Sequence, residues 1–430
     1  MKVKKVVSVI LFLVLLVCVY FAGYFTRNLT DPDLASLQFV LDYYKKYYYE
    51  IEDGYVGIMA NSILDQYSRY YTAEEYEIIQ ASSKGMHAGI GLSFYSSDDL
   101  PRIASVIYNS PSEKAGIRAG GLVKAVRPSG ESVWKNIPFY DDFSDAIQEF
   151  GIGENFDILI AYGQEEEIYT VSKSDYRETY VRYVDGDGAF RYGDSDNGKI
   201  ARLPDETPSV LPSSLPEDVA YVKYTSFNGT SGGLDGSAGQ IEDALSVMRE
   251  RGKTKLIFDL RGNGGGLLDI LCDISAHLIE GKTGSSAVVV RSFDNGGKET
   301  SFISGKIDSS GFGYQKIIFL ADENSASASE ALIGAVLDYD SSSIVSVVLA
   351  RSGKEGAYVY KTYGKGIMQT TYQNVTGEAI KLTTAKLFWP ITETCIHGYG
   401  ITRETAGERV VEAEYGEGDY VLSCAISLCG

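Results

Sequence analysis

Lys316-Ile317-Ile318-Phe319-Leu320-Ala321, followed after two residues by Asn324-Ser325-Ala326-Ser327-Ala328-Ser329-Glu330 and then by Ala331-Leu332-Ile333-Gly334-Ala335-Val336-Leu337, reads as a strand, a turn and a helix. The first run has the length and β-branched content of a buried strand. The last has helix-forming composition. Serines on small neighbours at such a turn set hydroxyls beside unpaired amide N–H groups, where developing negative charge is stabilised. A nucleophile fits there. A plain N-cap at Asn324 or Ser325 is the other reading of the same residues.

Strands and helices alternate around this turn. Ala220–Tyr224, Lys255–Leu260, Ala287–Arg291 and Ile317–Leu320 read as strands, with Ala238–Arg251 and Leu267–Ile279 as helices. The alternation predicts a layered α/β domain with a largely parallel sheet over residues 219–405. Inside it, Asp259-Leu260-Arg261-Gly262-Asn263-Gly264-Gly265-Gly266 closes a strand and opens a helix. Glycines there let backbone N–H groups turn toward a ligand. A phosphate loop lacks its Gly-Lys-Ser/Thr ending here, which leaves an oxyanion-binding turn or a simple tight turn.

Further on, Tyr363-Gly364-Lys365-Gly366-Ile367-Met368-Gln369 sets one lysine between two glycines. A solvated lysine is the ordinary reading of such a residue. To take a proton from a serine the amine must be neutral, and desolvation lowers its pKa to that end. In an extended segment Lys365 and Gln369 share a face, and a neutral amide orients the amine without adding negative charge.

Upstream, Lys2, Lys4 and Lys5 precede a nearly unbroken apolar run from Val6 to Phe25. Twenty helical residues span roughly 30 Å, and the lysines stay on the cytoplasmic side. Residues 1–30 are therefore expected to be an uncleaved signal anchor, with a cleaved signal peptide as the alternative. Residues 31–84 carry apolar and aromatic residues at helical spacing, and Thr72 with Glu75 forms a capping box. From Gly89-Ile90-Gly91-Leu92 the period turns strand-like, and residues 85–175 offer short strands, one short helix and one longer one. That set describes a PDZ-like domain, in which Gly89, Ile90, Gly91 and Leu92 would present backbone N–H groups to a peptide C-terminal carboxylate. A bulge or turn is the bland reading of the same glycines. Asp185 to Asp218 are rich in Gly, Asp, Ser and Pro, so that 176–218 read as a linker or surface excursion, and 406–430 as a C-terminal segment.

The 430 residues suffice for two or three domains. A formal charge of −19 argues against nucleic-acid binding. Five cysteines and three histidines without a CxxC or His cluster give no metal site. Cys424 and Cys429 are close enough in sequence to pair, but sequence cannot choose among connectivities. No cofactor is expected.

Together the motifs resemble the C-terminal processing peptidases, or tail-specific proteases, Ser–Lys endopeptidases that carry a PDZ domain. In that family's order stand Leu64-Asp65-Gln66-Tyr67-Ser68-Arg69-Tyr70, Gly89-Ile90-Gly91, Ser110-Pro111 with Lys114-Ala115-Gly116-Ile117, and Asp259-Leu260-Arg261 with Gly265-Gly266. Ser325 through Glu330, Gly364-Lys365-Gly366 with Gln369, Lys381 through Lys386, and Ile396-His397-Gly398 with Gly400-Ile401-Thr402 complete the series. The resemblance implies a ClpP/crotonase-like α/β core with an inserted PDZ domain and a small N-terminal helical module behind the membrane helix. It implies Ser327 as nucleophile, Lys365 as general base, Gln369 as its orienting residue, and the N–H groups of Gly265 and Ala328 as the oxyanion hole. Asp338 and His397 fall on positions read as structural.

The chain departs from the pattern at Gly121, Gly264 and Tyr399. The 38 positions from Ser327 to Lys365 are about a dozen more than is usual in the family, with the extra length in Ser341 to Tyr360. Lys354 and Lys361 are the alternative lysines. The expected function is a membrane-anchored extracytoplasmic serine endopeptidase that reads substrate C-termini, with self-association a further expectation. The rival readings are a catalytically silent peptide-binding scaffold and, more distantly, a nucleotide binder using Gly262 to Gly266.

Overall fold

The computed structural model describes residues 14–19, 32–48, 54–95, 100–205, 211–212, 215–230, 232–293, 299–307, 311–353, 357–413, 416 and 418–430. The chain divides into two units, Met1–Leu64 and Asp65–Gly430. In the first, helices α1 (Pro32–Tyr47) and α2 (Tyr55–Asn61) follow a helical stretch at 14–19. Along α1 aromatic rings meet at i, i+4 spacing, tilted to one another, with centroids 4.6 Å apart for Phe39 and Tyr43 and 5.5 Å apart for Tyr43 and Tyr47. The anchor expected at residues 1–30 lies almost wholly outside the described residues. Among those described, no helix is long and apolar enough to cross a membrane.

The second unit opens with β1 (Arg69–Tyr71) and α3 (Ala73–Ser83). The capping box holds: Thr72 Oγ1 accepts from Glu75 N at 3.2 Å, and Glu75 accepts from Thr72 N at 2.9 Å. Residues 65–83 thus part from the helical module expected over 31–84, because β1 pairs with a strand of the far C-terminal half.

An inserted module follows. It contains β2 (Met86–Gly89), β3 (Leu92–Phe94), β4 (Ile103–Val106), the short helix α4 (Pro111–Lys114) and β5 (Leu122–Pro128). After β6 (Lys135–Asn136) come α5 (Tyr140–Gln148), β7 (Asn155–Tyr162), β8 (Glu165–Ser172) and β9 (Ser174–Arg177). It has its own core, built on Ile103, Val123, Phe143, Phe156 and Ile158. Chain enters on β2 and leaves on β9, and these two strands pair antiparallel from Met86↔Arg177 to Gly89↔Ser174. Short strands, one short helix and one longer helix are the elements this stretch contains.

Next come β10 (Val181–Val184), β11 (Ala189–Asp194) and β12 (Ile200–Pro204). These overturn the linker reading of 176–218. The turn-forming run Asp185-Gly186-Asp187-Gly188 is a hairpin between two short strands, and the strands are part of the core sheet. That sheet continues through β13 (Val219–Tyr224), β14 (Lys255–Asp259), β17 (Lys316–Ala321), β18 (Val345–Leu349) and β21 (Val410–Glu412). From β13 to β21 every pairing is parallel, and β10 to β12 add an antiparallel edge. The parallel strands read almost wholly apolar because both faces are covered.

One face carries α6 (Ser237–Glu250), α7 (Leu268–Leu278) and α8 (Ala328–Tyr339). The other carries α10 (Tyr420–Cys429), so the C-terminal segment is structural; a short helix α9 (Arg403–Ala406) precedes it. Cys424 and Cys429 both sit on α10, are free, and cannot pair: five helical positions carry them about 7.5 Å apart along the axis. A second sheet orders β1, β20 (Ala379–Phe388), β15 (Ser286–Phe293) and β16 (Glu299–Lys306), with β19 (Ile367–Gln373) also on β20.

Candidate active site

The C-terminal ends of β14 and β17 lie side by side, and the two turns that follow them interlock. Asp259 ends β14 fully buried. Its carboxylate accepts from Arg261 Nη2 at 2.6 Å, from Lys223 Nζ at 3.2 Å and from the Tyr221 hydroxyl at 2.6 Å. Burial by itself would raise this carboxyl's pKa, but Lys223 and Arg261 outweigh it and hold the group far below the usual range. The glycine turn after it is thereby tethered, and Gly262 N–H donates to Asp322 in the neighbouring turn at 2.9 Å.

Of the three serines, two are fasteners. Ser325 is fully buried, and its Oγ donates to Leu260 O at 2.8 Å. Ser329 is likewise buried, and its Oγ donates to Asn263 O at 2.9 Å. Both hydroxyls lock the serine turn to the glycine turn. Ser327 alone is partly open, with no hydrogen bond on its Oγ among the described residues. It is the N-cap position of α8, so the cap reading of Asn324 or Ser325 gives way. Its backbone stands at φ 57°, ψ −113°, a sparsely populated region for a residue with a side chain. That geometry holds the hydroxyl clear of the turn at the positive end of a helix.

Ala328, the first residue of α8, has an N–H that the helix cannot use. Gly265 approaches so closely that a Cβ there would lie 2.8 Å from Ala328 N and 2.9 Å from Ser327 Cβ; with φ at 96°, only glycine fits. The two predicted oxyanion donors are therefore adjacent. They are not equally available, because Gly265 N–H donates to Asn263 Oδ1 at 2.9 Å.

Glu330, whose role the sequence did not disclose, joins the two halves of the site. Its buried carboxylate accepts from Ser327 N at 2.9 Å, Gly364 N at 2.8 Å, Lys365 N at 2.9 Å and Thr362 Oγ1 at 2.5 Å. Burial pushes its pKa up, against those four donors. Tyr363 N–H also donates to Ser325 O at 3.0 Å. The added length before Lys365 folds back on itself through a Ser352↔Val359 bridge and returns the chain to the nucleophile turn. Lys365 is thus the lysine delivered there. Lys361 precedes these contacts, and Lys354 lies outside the described residues. The glycines on either side are needed for contact: a Cβ on Gly364 would meet Gly400 N at 2.9 Å, and one on Gly366 would meet His397 N at 2.7 Å.

Lys365 and Ser327 line one small cavity. Burial, then the like charge of Lys381, lower the Lys365 pKa below the ordinary lysine value, with Glu330 opposing. The amine lies 5.4 Å from the centre of the Tyr67 ring, and no hydrogen bond joins it to Ser327 Oγ among the described residues. Tyr67 is a second residue without an assigned role in the sequence reading, although it falls inside the quoted Leu64–Tyr70 motif.

Lys365 precedes β19, in which Gln369 lies, and between Met368 and Gln369 the pairing with β20 skips Thr384, a bulge on the β20 side. The Gln369 amide donates to Thr383 Oγ1 at 3.4 Å, and among the described residues it shares no hydrogen bond with Lys365. Asp338 caps the turn after β20, accepting from Ile391 N at 2.8 Å and Thr392 N at 3.0 Å, and His397 belongs to the turn packed on Gly366.

In the inserted module, Gly89 (φ 146°) and Gly91 (φ 81°) bracket Ile90 just before β3, and a Cβ on Gly91 would overlap Ser110. β3 pairs with β4 alone among the described strands, and its Phe94 ring packs against Tyr140 and Phe143 of α5. No cluster of ligand-type side chains fit for a metal occurs among the described residues.

Residues 218–406 match the model of peptidase family S41. The chain is 26% identical over 364 residues to a probable CtpA-like serine protease of Staphylococcus aureus (strain N315), covering 84% of this chain and 61% of that protein. A probable CtpA-like serine protease of Staphylococcus haemolyticus (strain JCSC1435) is 27% identical over 372 residues, covering 85% of this chain and 62% of its own length. The chain thus spans less than two thirds of the curated relatives it matches. Among solved structures, a photosystem II D1 C-terminal processing protease aligns over 83% of this chain and 81% of its own, at 18% identity and a TM-score of 0.47.

Proposed function

We propose that this chain is a serine endopeptidase of the S41 type, with Ser327 as nucleophile and Lys365 as general base. The observation that carries the reading is the selection among the serines: two are spent on packing, and Ser327 is held free on a strained helix tip, sharing a cavity with a desolvated lysine. In the forward step neutral Lys365 takes the Ser327 proton as Oγ attacks the scissile carbonyl. The resulting ammonium then gives that proton to the departing amine, and water hydrolyses the acyl-enzyme. Ala328 N–H stabilises the oxyanion, and Gly265 N–H joins it once released from Asn263. Preorganised donors of this kind are worth about 3–4 kcal/mol each in the transition state.

Substrates on this reading are proteins whose C-termini dock at Gly89–Leu92 and add to the open edge of β3. Docking would gate the dyad. The apolar run from Val6 to Phe25, flanked by lysines, supports an anchor that holds the protease outside the cytoplasmic membrane. The test is turnover of an unstructured protein by the full chain and by Ser327→Ala. Loss of cleavage with an unchanged melting temperature is expected, and equal proteolysis by both sinks the assignment.

One observation favours the second reading, a silent peptide-binding scaffold: Gly265 N–H is already engaged, and Ser327 and Lys365 are not bonded to each other. Peptide binding without cleavage under any condition, in the wild type and Lys365→Ala alike, would decide for it.

A further inference from the structure

The segment that leads into β1 reaches the base from the far end of the sequence. β1 pairs with β20 from Arg69↔Lys381 to Tyr71↔Ala379, which lays the residues before it beside Lys365. The chain there is pinned at successive residues. Tyr67 N–H donates to Asp65 Oδ1 at 2.9 Å, closing an Asx turn, and Thr383 N–H of β20 donates to Ser68 Oγ at 2.9 Å. The Tyr67 hydroxyl meets that of Tyr363, whose own N–H is bonded to Ser325 O in the serine turn. The ring is thus held at both ends, through its backbone to β20 and through its hydroxyl to the stretch that carries the base.

What the ring covers is the Lys365 amine, 5.4 Å from its centre. Among the described residues that amine has no hydrogen-bond partner, although an ammonium has three protons to place. The charged groups that face it are Lys381 of β20 and the Glu330 carboxylate of α8, which is already taken by four donors. Asp65 and Tyr363 flank Tyr67 itself. Lys381 has a ring of its own, its amine lying 5.8 Å from the centre of Tyr71, so two tyrosines of one short segment seat two lysines. A ring face attracts an ammonium, but it accepts no proton and stands where water would otherwise solvate the charge. The neutral amine forfeits far less by that exchange, so cover of this kind favours the form that can act as a base.

We infer that Tyr67 is a positioning residue of the dyad: its ring shuts water away from the Lys365 amine and so keeps that amine neutral and ready for the Ser327 proton. The inference rests on the Ser327–Lys365 reading above. It extends the active site to a segment well outside residues 218–406, which match the family model. Tyr67 takes no proton itself; it acts through the base.

The test is the pH profile of kcat/KM, measured on the full chain with a dye-labelled unfolded protein as substrate, for the wild type, Tyr67→Phe and Tyr67→Ala. Admitting water to the amine makes its proton harder to remove. Tyr67→Ala is therefore expected to move the acidic limb up by about one pH unit, a loss of about tenfold on that limb that is regained at higher pH. Tyr67→Phe keeps the ring and the backbone ties, and with them the wild-type limb. Tyr67→Gln fills the same space with a group that bonds the ammonium; it moves the limb as alanine does and covers the case that the alanine variant does not fold. A limb that stays or moves down in a cooperatively melting Tyr67→Ala or Tyr67→Gln overturns the inference. So does a loss equal at every pH, which is what a merely structural role would give. The same midpoint is read without turnover by NMR titration of isotope-methylated lysines in Ser327→Ala, with Lys365→Arg to assign the signal. A wild type that cleaves nothing at any pH takes down the endopeptidase reading and this inference with it. A wild type that cleaves, with a Lys365 signal indifferent to Tyr67→Ala, takes down this inference alone.

Discussion

Ser327 sits between two serines whose hydroxyls are both bonded to the glycine turn, whereas Lys365 is fixed only through its backbone, with its amine resting over Tyr67. The serine side is cross-braced by short contacts between neighbouring strand ends. The lysine side arrives after a long excursion and is fastened by one carboxylate, Glu330. The contrast teaches where adjustment is possible. A nucleophile on a helix tip can be rigid because its partners come to it, while a base that must shed its charge and reach an alcohol gains from a side chain free to swing. On the proposed function, the unengaged pair and the occupied Gly265 N–H are a resting arrangement that substrate completes.

Removing the amine is the harshest way to break the comparison. Lys365→Ala should lower kcat/KM by about 10³-fold or more, as loss of a catalytic base does in other serine hydrolases, while the melting temperature stays put; a variant retaining a tenth of wild-type activity would remove Lys365 from the chemistry. Glu330→Ala attacks the fastening instead. It strands three backbone N–H groups and should cost about 3–5 kcal/mol in urea unfolding as well as most of the activity. If it unfolds at the wild-type urea midpoint, the carboxylate is not the brace described.

Ser325→Ala sharpens the distinction between fastener and nucleophile. It should cost about 1–3 kcal/mol of stability and leave measurable turnover, where Ser327→Ala does the opposite. Identical losses of activity from the two would erase the difference. The amine's environment gives a subtler readout. Activity should climb with pH as Lys365 loses its proton, with the midpoint below the ordinary lysine value because the folded pKa is depressed. Lys381→Met removes a like charge, makes the ammonium easier to keep and so moves that limb to higher pH; a limb that stays or moves down would exclude Lys381 as a contributor. The smallest effect belongs to Gln369→Ala. Its amide is bonded to Thr383, so a change of only a few-fold in kcat is expected, and a loss approaching that of Lys365→Ala would restore it as the orienting residue.

How far the sequence disclosed this site follows from how local each feature is. The serine turn was legible because strand, turn and helix are contiguous, and the glycine turn because its composition tolerates few conformations. Glu330 was not, since its bonds to Gly364 and Lys365 cross more than thirty positions of chain. Nor was the partner of the Gln369 amide legible, since Thr383 stands on the neighbouring strand β20, fourteen positions further along the chain. Strands β10 to β12 were hidden by the Asp-Gly and Asn-Gly turns that join them, which dominate composition over so short a stretch. The lock on Gly265 N–H depends on an asparagine rotamer two residues away, which no pattern of residue types encodes.

The two strands that carry chain into and out of the PDZ-like module run as a ladder and stop at facing residues, Gly89 and Ser174. A tight two-residue turn could close that ladder. Everything beyond it is in effect one very long hairpin loop with a hydrophobic core of its own. On the proposed function the module can therefore be rebuilt around a new target as long as Glu113 keeps its pairs with Arg182 and Arg191 of the large sheet, so recognition and cutting are free to evolve on separate schedules within that tether.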